Sequence, residues 1–409
     1  MASSLNIVFL ISQDLESPSG LGRYGPLARE LVKLGHSAKI IGLHPNFKDL
    51  KTSNFVEDGV HVQYVAPMHV IKSGDKKGYY SSSQLINIAI KAAWEMSRAA
   101  HSTDADILHI GKPHPMNSLA GLYARSLDKN LLFIDCDDFE AASGRFQSGW
   151  QRSVVSFFER KIPKIADAVT TNTDFMRKKL VTWGVENDRI SYLPNGVDID
   201  RTTKPDPEAV RLLKDEYDLK NRLVIAFIGS ISLPSHPINL LVEAFKQVHN
   251  LEPDTRLLIV GGGEDIESLK DLSQEMGIAK EVIFSGKVPR EKISLFYSLA
   301  DVTVDPVYDN DAARGRQPLK IFESWYYGVP LVSAAVGDRE QLLGEPPAGI
   351  LTEAGDSGAL AMAIHGILTN PNLAQQLADL GSERVKQYTW ELIAKQLNER
   401  YLEYASRHS

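Results

Sequence analysis

The chain has 409 residues, 43% of them hydrophobic and 24% charged, with a formal net charge of −7 and a single cysteine, Cys136. One hydrophobic core sustains roughly 250 to 300 residues, so two cores are expected. The acidic balance argues against general nucleic-acid binding, one thiol excludes an intrachain disulfide or a cysteine-rich metal site, and no apolar run nears the ~20 residues that span a bilayer.

The opening residues "MASSLNIVFLISQ" lack the basic region and small-residue cleavage site of a signal peptide and run directly into a first strand. A cytoplasmic location is expected. Short β-rich apolar runs then alternate with amphipathic stretches, the pattern of βαβ units and a mostly parallel sheet. In the first half, strands are expected at Ile7–Ile11, Ala38–Leu43, Val60–Val65, Ile107–Ile110, Leu131–Asp135, Ala168–Thr171 and Ile190–Leu193. Between the first two, a helix from Arg23 to Leu34 gathers Tyr24, Leu27, Ala28, Leu31 and Val32 on one face and stops at Gly35. The stretch from Gly149 to Ala166 mixes Trp150, Phe157 and Phe158 with Arg152, Arg160, Lys161 and Lys164, which suits a helix on the sheet with a basic outer face or one that meets a membrane.

"LPNGVDIDRTTKPDPEAV" supplies the linker, with Asn195-Gly196 as a turn and Pro205 and Pro207 against regular structure. It separates an N-terminal domain, 1–197, from a C-terminal one, 198–388. Strands of the second are expected at Leu223–Ile228, Arg256–Val260, Val282–Phe284, Val302–Val304 and Leu331–Ala334. Gly262 and Gly263 end a strand and open a helix, where backbone can approach a ligand closely. In "DNDAARGRQPLKIFESWYYGVPLVSAAVG", a helix begins near Gln317, carries Lys320 and Glu323 one turn apart and ends at Gly328. Free N–H groups and the helix dipole favour phosphate there, and a carboxylate suits two neighbouring ribose hydroxyls, so the segment reads as a sugar-nucleotide clamp. Finally, Thr389 can cap a helix whose Trp390, Ile393, Leu397, Tyr401 and Tyr404 need a partner surface.

Six segments in this order resemble a known family: "SGLGRYGPLARELVKLGH", "ISYLPNGVDID", "VIAFIGS", "LLIVGGGEDIESLKDL", "VIFSGKVPREKISLFYSLADVTVDP" and "PLKIFESWYYGVPLVSAAVG". Over nearly the whole length the chain resembles the retaining GT-B glycosyltransferases of family 4 (glycosyl transferases group 1). The resemblance implies two Rossmann-like domains facing a central cleft, with a last helix, about 389–409, crossing back to the N-terminal acceptor domain. It implies a nucleoside diphosphate sugar as donor, with UDP- or GDP-sugars expected, and neither metal nor cofactor. A glycan, lipid-linked or small-molecule acceptor is implied, with peripheral contact at the inner membrane face.

Residue by residue, Glu323 matches the second glutamate of the paired-glutamate motif, which binds the donor ribose. Lys320 falls where phosphates are bound, with Pro318 and Leu319 contributing backbone. Gly229 and Ser230 fall at the diphosphate, Ser285 and Gly286 beside the base, and Gly20 and Gly22 in the loop facing the donor phosphate or acceptor. The chain also departs from the pattern. Gly315 stands where the first glutamate belongs, with Asp309 and Asp311 as stand-ins. Ser230 and His236 replace the usual arginine and lysine, for which Arg314 and Arg316 offer guanidinium groups. The family's sugar-contacting histidine aligns with Gly111, leaving His109, Lys112 or His114 to serve, either in function or as structural hydrogen-bond partners. Asp135, Asp137 and Asp138 suggest a metal-binding DxD only weakly, since no histidine or further carboxylate stands at ligand spacing; the preferred readings are that Asp135 or Asp138 contacts acceptor hydroxyls, or that Asp138 and Glu140 begin the next helix favourably. A silent nucleotide-sugar-binding subunit and a sugar-nucleotide epimerase of the same fold are the alternatives.

Overall fold

The computed structural model describes residues 4–17, 19–73, 76–143, 146, 148–199 and 205–408. Residues 200–204 of the expected linker lie outside them. The chain divides into two compact units, Met1–Asn195 with Gly315–Gln317 and Trp390–Ser409, and Gly196–Arg314 with Pro318–Thr389. The stretch expected as one domain, 198–388, is therefore interrupted. Gln317 explains why: its Oε1 accepts from the Asn195 amide at 2.6 Å, its carbonyl accepts from Asn195 Nδ2 at 2.8 Å, and its Nε2 donates to the Tyr192 hydroxyl at 2.9 Å.

In the first unit the strands are β1 (Asn6–Ile11), β2 (Ser37–His44), β3 (Asn54–Glu57), β4 (Val60–Pro67), β5 (Val70–Ser73), β6 (Lys76–Tyr79), β7 (Ile107–Gly111), β8 (Leu131–Asp135), β9 (Ala168–Thr171) and β10 (Ile190–Tyr192). Eight form one sheet, in the order β10-β9-β8-β7-β1-β2-β4-β3, parallel throughout except for β3 against β4, while β5 and β6 pair separately. The continuous apolar runs of β1, β7 and β8 follow from burial on both faces. The helices are α1 (Gly25–Lys33), α2 (Ser82–His101), α3 (Pro115–Asp128), α4 (Gly149–Ile165) and α5 (Asp174–Thr182). The β1-to-β2 connection runs one way along the sheet, and those from β4 to β7, β7 to β8 and β8 to β9 run the other way. Right-handed crossovers then put α1 on one face and α2, α3 and α4 on the other.

The face that holds α1 is completed by the C-terminal helix, Trp390–His408, which packs on α1 and buries Trp390, Ile393, Leu397 and Tyr401. His109 of β7 lies between the Phe9 and Phe133 rings, at 5.0 and 6.2 Å, and its Nδ1 is hydrogen-bonded to the Tyr401 hydroxyl at 2.5 Å. Burial lowers the His109 pKa to about 4, so the imidazole is neutral.

In the second unit β11 (Leu223–Ile228), β12 (Thr255–Val260), β13 (Val282–Gly286), β14 (Val302–Val304), β15 (Leu331–Ala334) and β16 (Ile350–Thr352) form an all-parallel sheet ordered β13-β12-β11-β14-β15-β16. Four elements were not anticipated: β3, the β5–β6 pair and β16, all short and lying at sheet edges or outside the main sheet. Two helix starts also move. Gly20–Tyr24 forms a π-helical turn ahead of α1, and the helix expected from Gln317 begins at Leu319, because Gln317 is engaged with Asn195.

Tyr401→Phe keeps the ring packing but leaves His109 Nδ1 buried without its hydrogen-bond partner. A loss of about 1–3 kcal/mol in unfolding free energy is expected, read by denaturant titration.

Candidate functional site

In an open parallel sheet, ligands bind beyond the carboxyl ends of the strands at the point where the strand order reverses. In the second unit that point lies between β11 and β14. Gly229 directly follows β11 and Asp305 directly follows β14, and the helix Leu319–Tyr326 brings Lys320 to Asp305 in its first turn. Lys320 Nζ lies 3.2 Å from Asp305 Oδ1, 3.2 Å from His236 Nδ1 and 4.5 Å from the centre of the Phe227 ring. Asp305 Oδ2 accepts from Ser333 Oγ and Arg339 Nη2, each at 3.1 Å. Burial opposes ionisation of Asp305, but Lys320 and Arg339 outweigh it and hold the carboxyl below the usual carboxylate range.

The expected glycines close in along the same edge. The Gly229 amide donates to Val260, that of Ile231 to Gly262, and that of Gly261 to Gly286. A Cβ on Gly263 would lie 1.8 Å from the Ile231 carbonyl, and one on Gly261 would lie 1.9 Å from that of Gly229. Close backbone approach therefore accounts for Gly261 and Gly263, while Gly286, at φ 71°, has open space for a Cβ, and Gly229, Ser230, Gly262, Gly263, Ser285 and Gly286 line neighbouring strand ends. Glu323 is half-buried, and its Oε2 accepts from the Tyr297 hydroxyl at 2.8 Å. Its Oε1 carries no hydrogen bond among the described residues. Desolvation raises the Glu323 pKa, which the Tyr297 hydroxyl partly offsets.

In the first unit the order reverses between β1 and β7. Ser12 Oγ and His114 Nδ1, from the loops after these strands, lie 2.9 Å apart. Lys112, left-handed at φ 66°, is enclosed by carboxylates, with Nζ 2.5 Å from Asp138 Oδ2, 2.6 Å from Glu140 Oε1 and 3.6 Å from Asp137 Oδ1. Arg316 Nε lies 4.0 Å from Asp138 Oδ1. Gly20 fits against the backbone of Asp14, whose carbonyl would lie 2.1 Å from an added Cβ, and Gly22 shares its π-helical turn.

Two family models match the chain: "Glycosyltransferase Family 4" over residues 26–201 and "Glycosyl transferases group 1" over residues 211–384. The chain belongs to the GT-B glycosyltransferases. Among similar curated proteins is a GDP-mannose-dependent alpha-(1-6)-phosphatidylinositol monomannoside mannosyltransferase of Mycolicibacterium smegmatis, 26% identical over 71% of this chain and 74% of that protein. A D-inositol 3-phosphate glycosyltransferase of Corynebacterium urealyticum is 28% identical over 59% of this chain and 58% of its own. Sucrose-phosphate synthase from Thermosynechococcus elongatus has the same fold, with a TM-score of 0.78 at 20% identity over 98% of this chain and 100% of that one. Anabaena HepE, solved in complex with UDP and glucose, aligns with a TM-score of 0.74 at 17% identity over 97% and 99% of the two chains.

The glycosyltransferase departs from the family pattern at several positions. Gly111 has no room for the family's histidine: an added Cβ would lie 2.6 Å from the Tyr24 ring, whose hydroxyl donates to Asp135 at 3.0 Å. His109, expected as a catalytic candidate, is instead a core residue, fully buried beneath Tyr401. Lys112, the other candidate there, is 5% exposed and compensates acidic groups. Arg314, expected to supply phosphate charge, grips Asp309 through Nε and Nη2 at 2.7 and 2.8 Å, which also occupies Asp309, the expected stand-in for the missing glutamate. His236 does reach Lys320, at the position where the family's lysine is replaced.

Sequence reasoning overlooked Arg23, Tyr297 and Asp305. Arg23 lies fully buried, with Nε and Nη2 on Asp135 at 2.6 and 2.8 Å and Nη1 on Asn195 Oδ1 at 2.8 Å. Burial disfavours its charge, but Asp135 overcomes this and raises the pKa above the ordinary arginine value.

Two outcomes follow from this geometry. Tyr297→Phe preserves the stack on Tyr327 but frees Glu323 Oε2, so donor KM should rise while kcat changes less, in steady-state kinetics. Glu159 accepts from the Glu140 and Ala141 amides, and burial beside Glu140 raises its pKa to about 8. The folded state thus binds a proton that the unfolded state has released, and stability falls as pH rises from the ordinary glutamate pKa toward 8. Glu159→Gln should flatten that part of the melting-temperature profile.

Proposed function

We propose that this glycosyltransferase uses a GDP- or UDP-sugar, with Glu323 holding the ribose and Lys320 the diphosphate, and transfers the hexose to an inositol-containing or lipid-linked acceptor with retention of configuration. The observation that carries this reading is the pairing of Lys320 at the β11–β14 reversal with a Glu323 carboxylate that keeps one oxygen open, three residues along the same helix. The Mycolicibacterium and Corynebacterium relatives support the choice of donor and acceptor class. A cytoplasmic enzyme with peripheral contact at the inner membrane face fits a lipid-linked acceptor.

Lys320 can act on phosphate without rearranging. Asp305 and His236 fix its ammonium, and Phe227 supports it from below, so its field is in place before charge develops on the leaving diphosphate. As the bond from the anomeric carbon to the diphosphate oxygen breaks, the acceptor oxygen bonds to that carbon from the same face. Its proton passes to an oxygen of the departing diphosphate. Lys320 compensates the growing negative charge, and no side-chain nucleophile is required. Lys112 and Arg316 act in the first unit on Asp137, Asp138 and Glu140, which present acceptor-binding oxygens.

The test is a donor panel of UDP-, GDP-, ADP- and dTDP-sugars, with release of nucleoside diphosphate followed alongside thermal shift. One donor should turn over, and Glu323→Ala should weaken its binding by roughly 10- to 150-fold, the equivalent of about 1.5–3 kcal/mol for hydrogen bonds to a charged group. NMR of the product should show the donor's anomeric configuration, and an inverted product overturns the mechanism. A silent nucleotide-sugar-binding subunit, the alternative raised by Gly315 and Ser230, would show the thermal shift without turnover.

A further inference from the structure

Where the strand order of the first unit reverses, three polar side chains from separate segments stand in line. Ser12 directly follows β1, His114 directly precedes α3, and Glu140 opens the short turn Glu140–Ala142 beyond β8. Ser12 Oγ lies 2.9 Å from His114 Nδ1, and His114 Nε2 lies 3.3 Å from Glu140 Oε2. A hydroxyl, an imidazole and a carboxylate linked in this order hold the hydroxyl oxygen for a task.

Each segment is locked by contacts of its own. Lys112 adopts a left-handed φ of 66°, a costly conformation for a residue with a Cβ, and Asn117 Nδ2 secures it by donating to the Gly111 and Lys112 carbonyls at 2.6 and 2.9 Å. The His114 amide closes that turn on the Lys112 carbonyl at 2.8 Å. Glu140 is held at both ends: its amide donates to Glu159 Oε1 at 2.7 Å, and its Oε1 accepts from Lys112 Nζ at 2.6 Å. Backbone strain retained at a strand end points to a functional turn.

Glu140 sets the direction of the hydrogen bonds. Burial opposes its ionisation, but Lys112 and His114 outweigh this and hold the carboxyl well below its ordinary range, so it can only accept. The nitrogen facing it, Nε2, therefore carries the proton of the neutral ring, and Nδ1 accepts from the Ser12 hydroxyl. That occupies the single proton of Ser12 and leaves its oxygen with accepting capacity alone. Ser12 is buried, and so is Asp137 Oδ1, 3.6 Å from the same Lys112 Nζ, which has no hydrogen-bond partner among the described residues. A ligand hydroxyl, which both donates and accepts, suits these two oxygens.

We propose that Ser12 binds the acceptor, its Oγ accepting a hydrogen bond from a hydroxyl that does not react, with His114 and Glu140 as positioning residues that act through it. The attacking hydroxyl is not the one bound, because its proton passes to the departing diphosphate. The proposal rests on the transferase reading above for the existence of an acceptor. Its first test needs no turnover. With histidine labelled in 15N, and the His114 signals assigned by their loss in His114→Gln, the wild type should show Nε2 protonated and Nδ1 unprotonated. Titration with D-inositol 3-phosphate, myo-inositol or methyl α-mannoside should shift the Nδ1 signal in the wild type and not in Ser12→Ala. In transfer to whichever of these is glycosylated, Ser12→Ala and His114→Gln should each raise acceptor KM about tenfold or more, with kcat changed less. Calorimetric titration with UDP or GDP should give Ser12→Ala the wild-type Kd, which separates the role from a general loss of structure. A ring protonated on Nδ1 overturns the proposal, as does a wild-type ring that responds to none of the three probes, a response that survives in Ser12→Ala, or an unchanged acceptor KM. Covalent labelling of Ser12 by a fluorophosphonate would make the serine a nucleophile and overturns it as well. A ring that responds in a protein releasing nucleoside diphosphate from no donor would sink the transferase reading and leave Ser12 as a hydroxyl-binding residue.

Discussion

The second unit depends on one buried carboxylate. Asp305 follows β14 at the reversal of strand order and binds Lys320 on one side, Arg339 and Ser333 on the other. It thereby ties the helix Leu319–Tyr326 to the segment after β15. Removing one partner of such a buried group leaves an uncompensated charge, which costs far more than the pair contributes. The arrangement also shows why Lys320 need not be a solvated side chain in order to remain cationic: its counter-ion is built into the sheet. Phosphate oxygens arriving there meet an ammonium already oriented.

Glycine and charge divide the work between the two units differently. In the second, the strand-end backbones touch so closely that Gly261 and Gly263 admit no side chain, and that edge is built largely of main chain. In the first, the corresponding edge is dense with side-chain charge: Arg23 on Asp135, and Lys112 among Asp137, Asp138 and Glu140. A backbone edge suits a diphosphate, whose oxygens accept from N–H groups. A carboxylate-rich edge suits hydroxyl groups, which donate.

Much of this was legible in the sequence. The buried strands β1, β8, β9, β11, β14 and β15 announce themselves as apolar runs, because a parallel strand covered on both faces has no polar alternation to confuse it. β3 and β16 do not, being short edge strands with half-exposed residues. Lys320 and Glu323 were legible because their spacing is local to one helix. Tyr297, 26 residues before Glu323, and Asp305, 15 before Lys320, were not, since their partners are set by how the sheet folds back. His109 was ambiguous for the same reason: at a strand end it reads equally as a site residue or as a structural hydrogen-bond partner, and a tyrosine 292 positions later is what packs it into the core.

That last contact bears on synthesis. A ribosome delivers the chain from its N-terminus, so β1, β7 and β8 emerge early, yet the surface around His109, Phe133 and α1 is covered by the helix Trp390–His408, which is made only after the second unit. While the whole second unit is being made, the nascent first unit carries an uncovered hydrophobic face. Sequence-distant closure of this kind slows folding, and it makes that face a natural client surface for chaperones during translation.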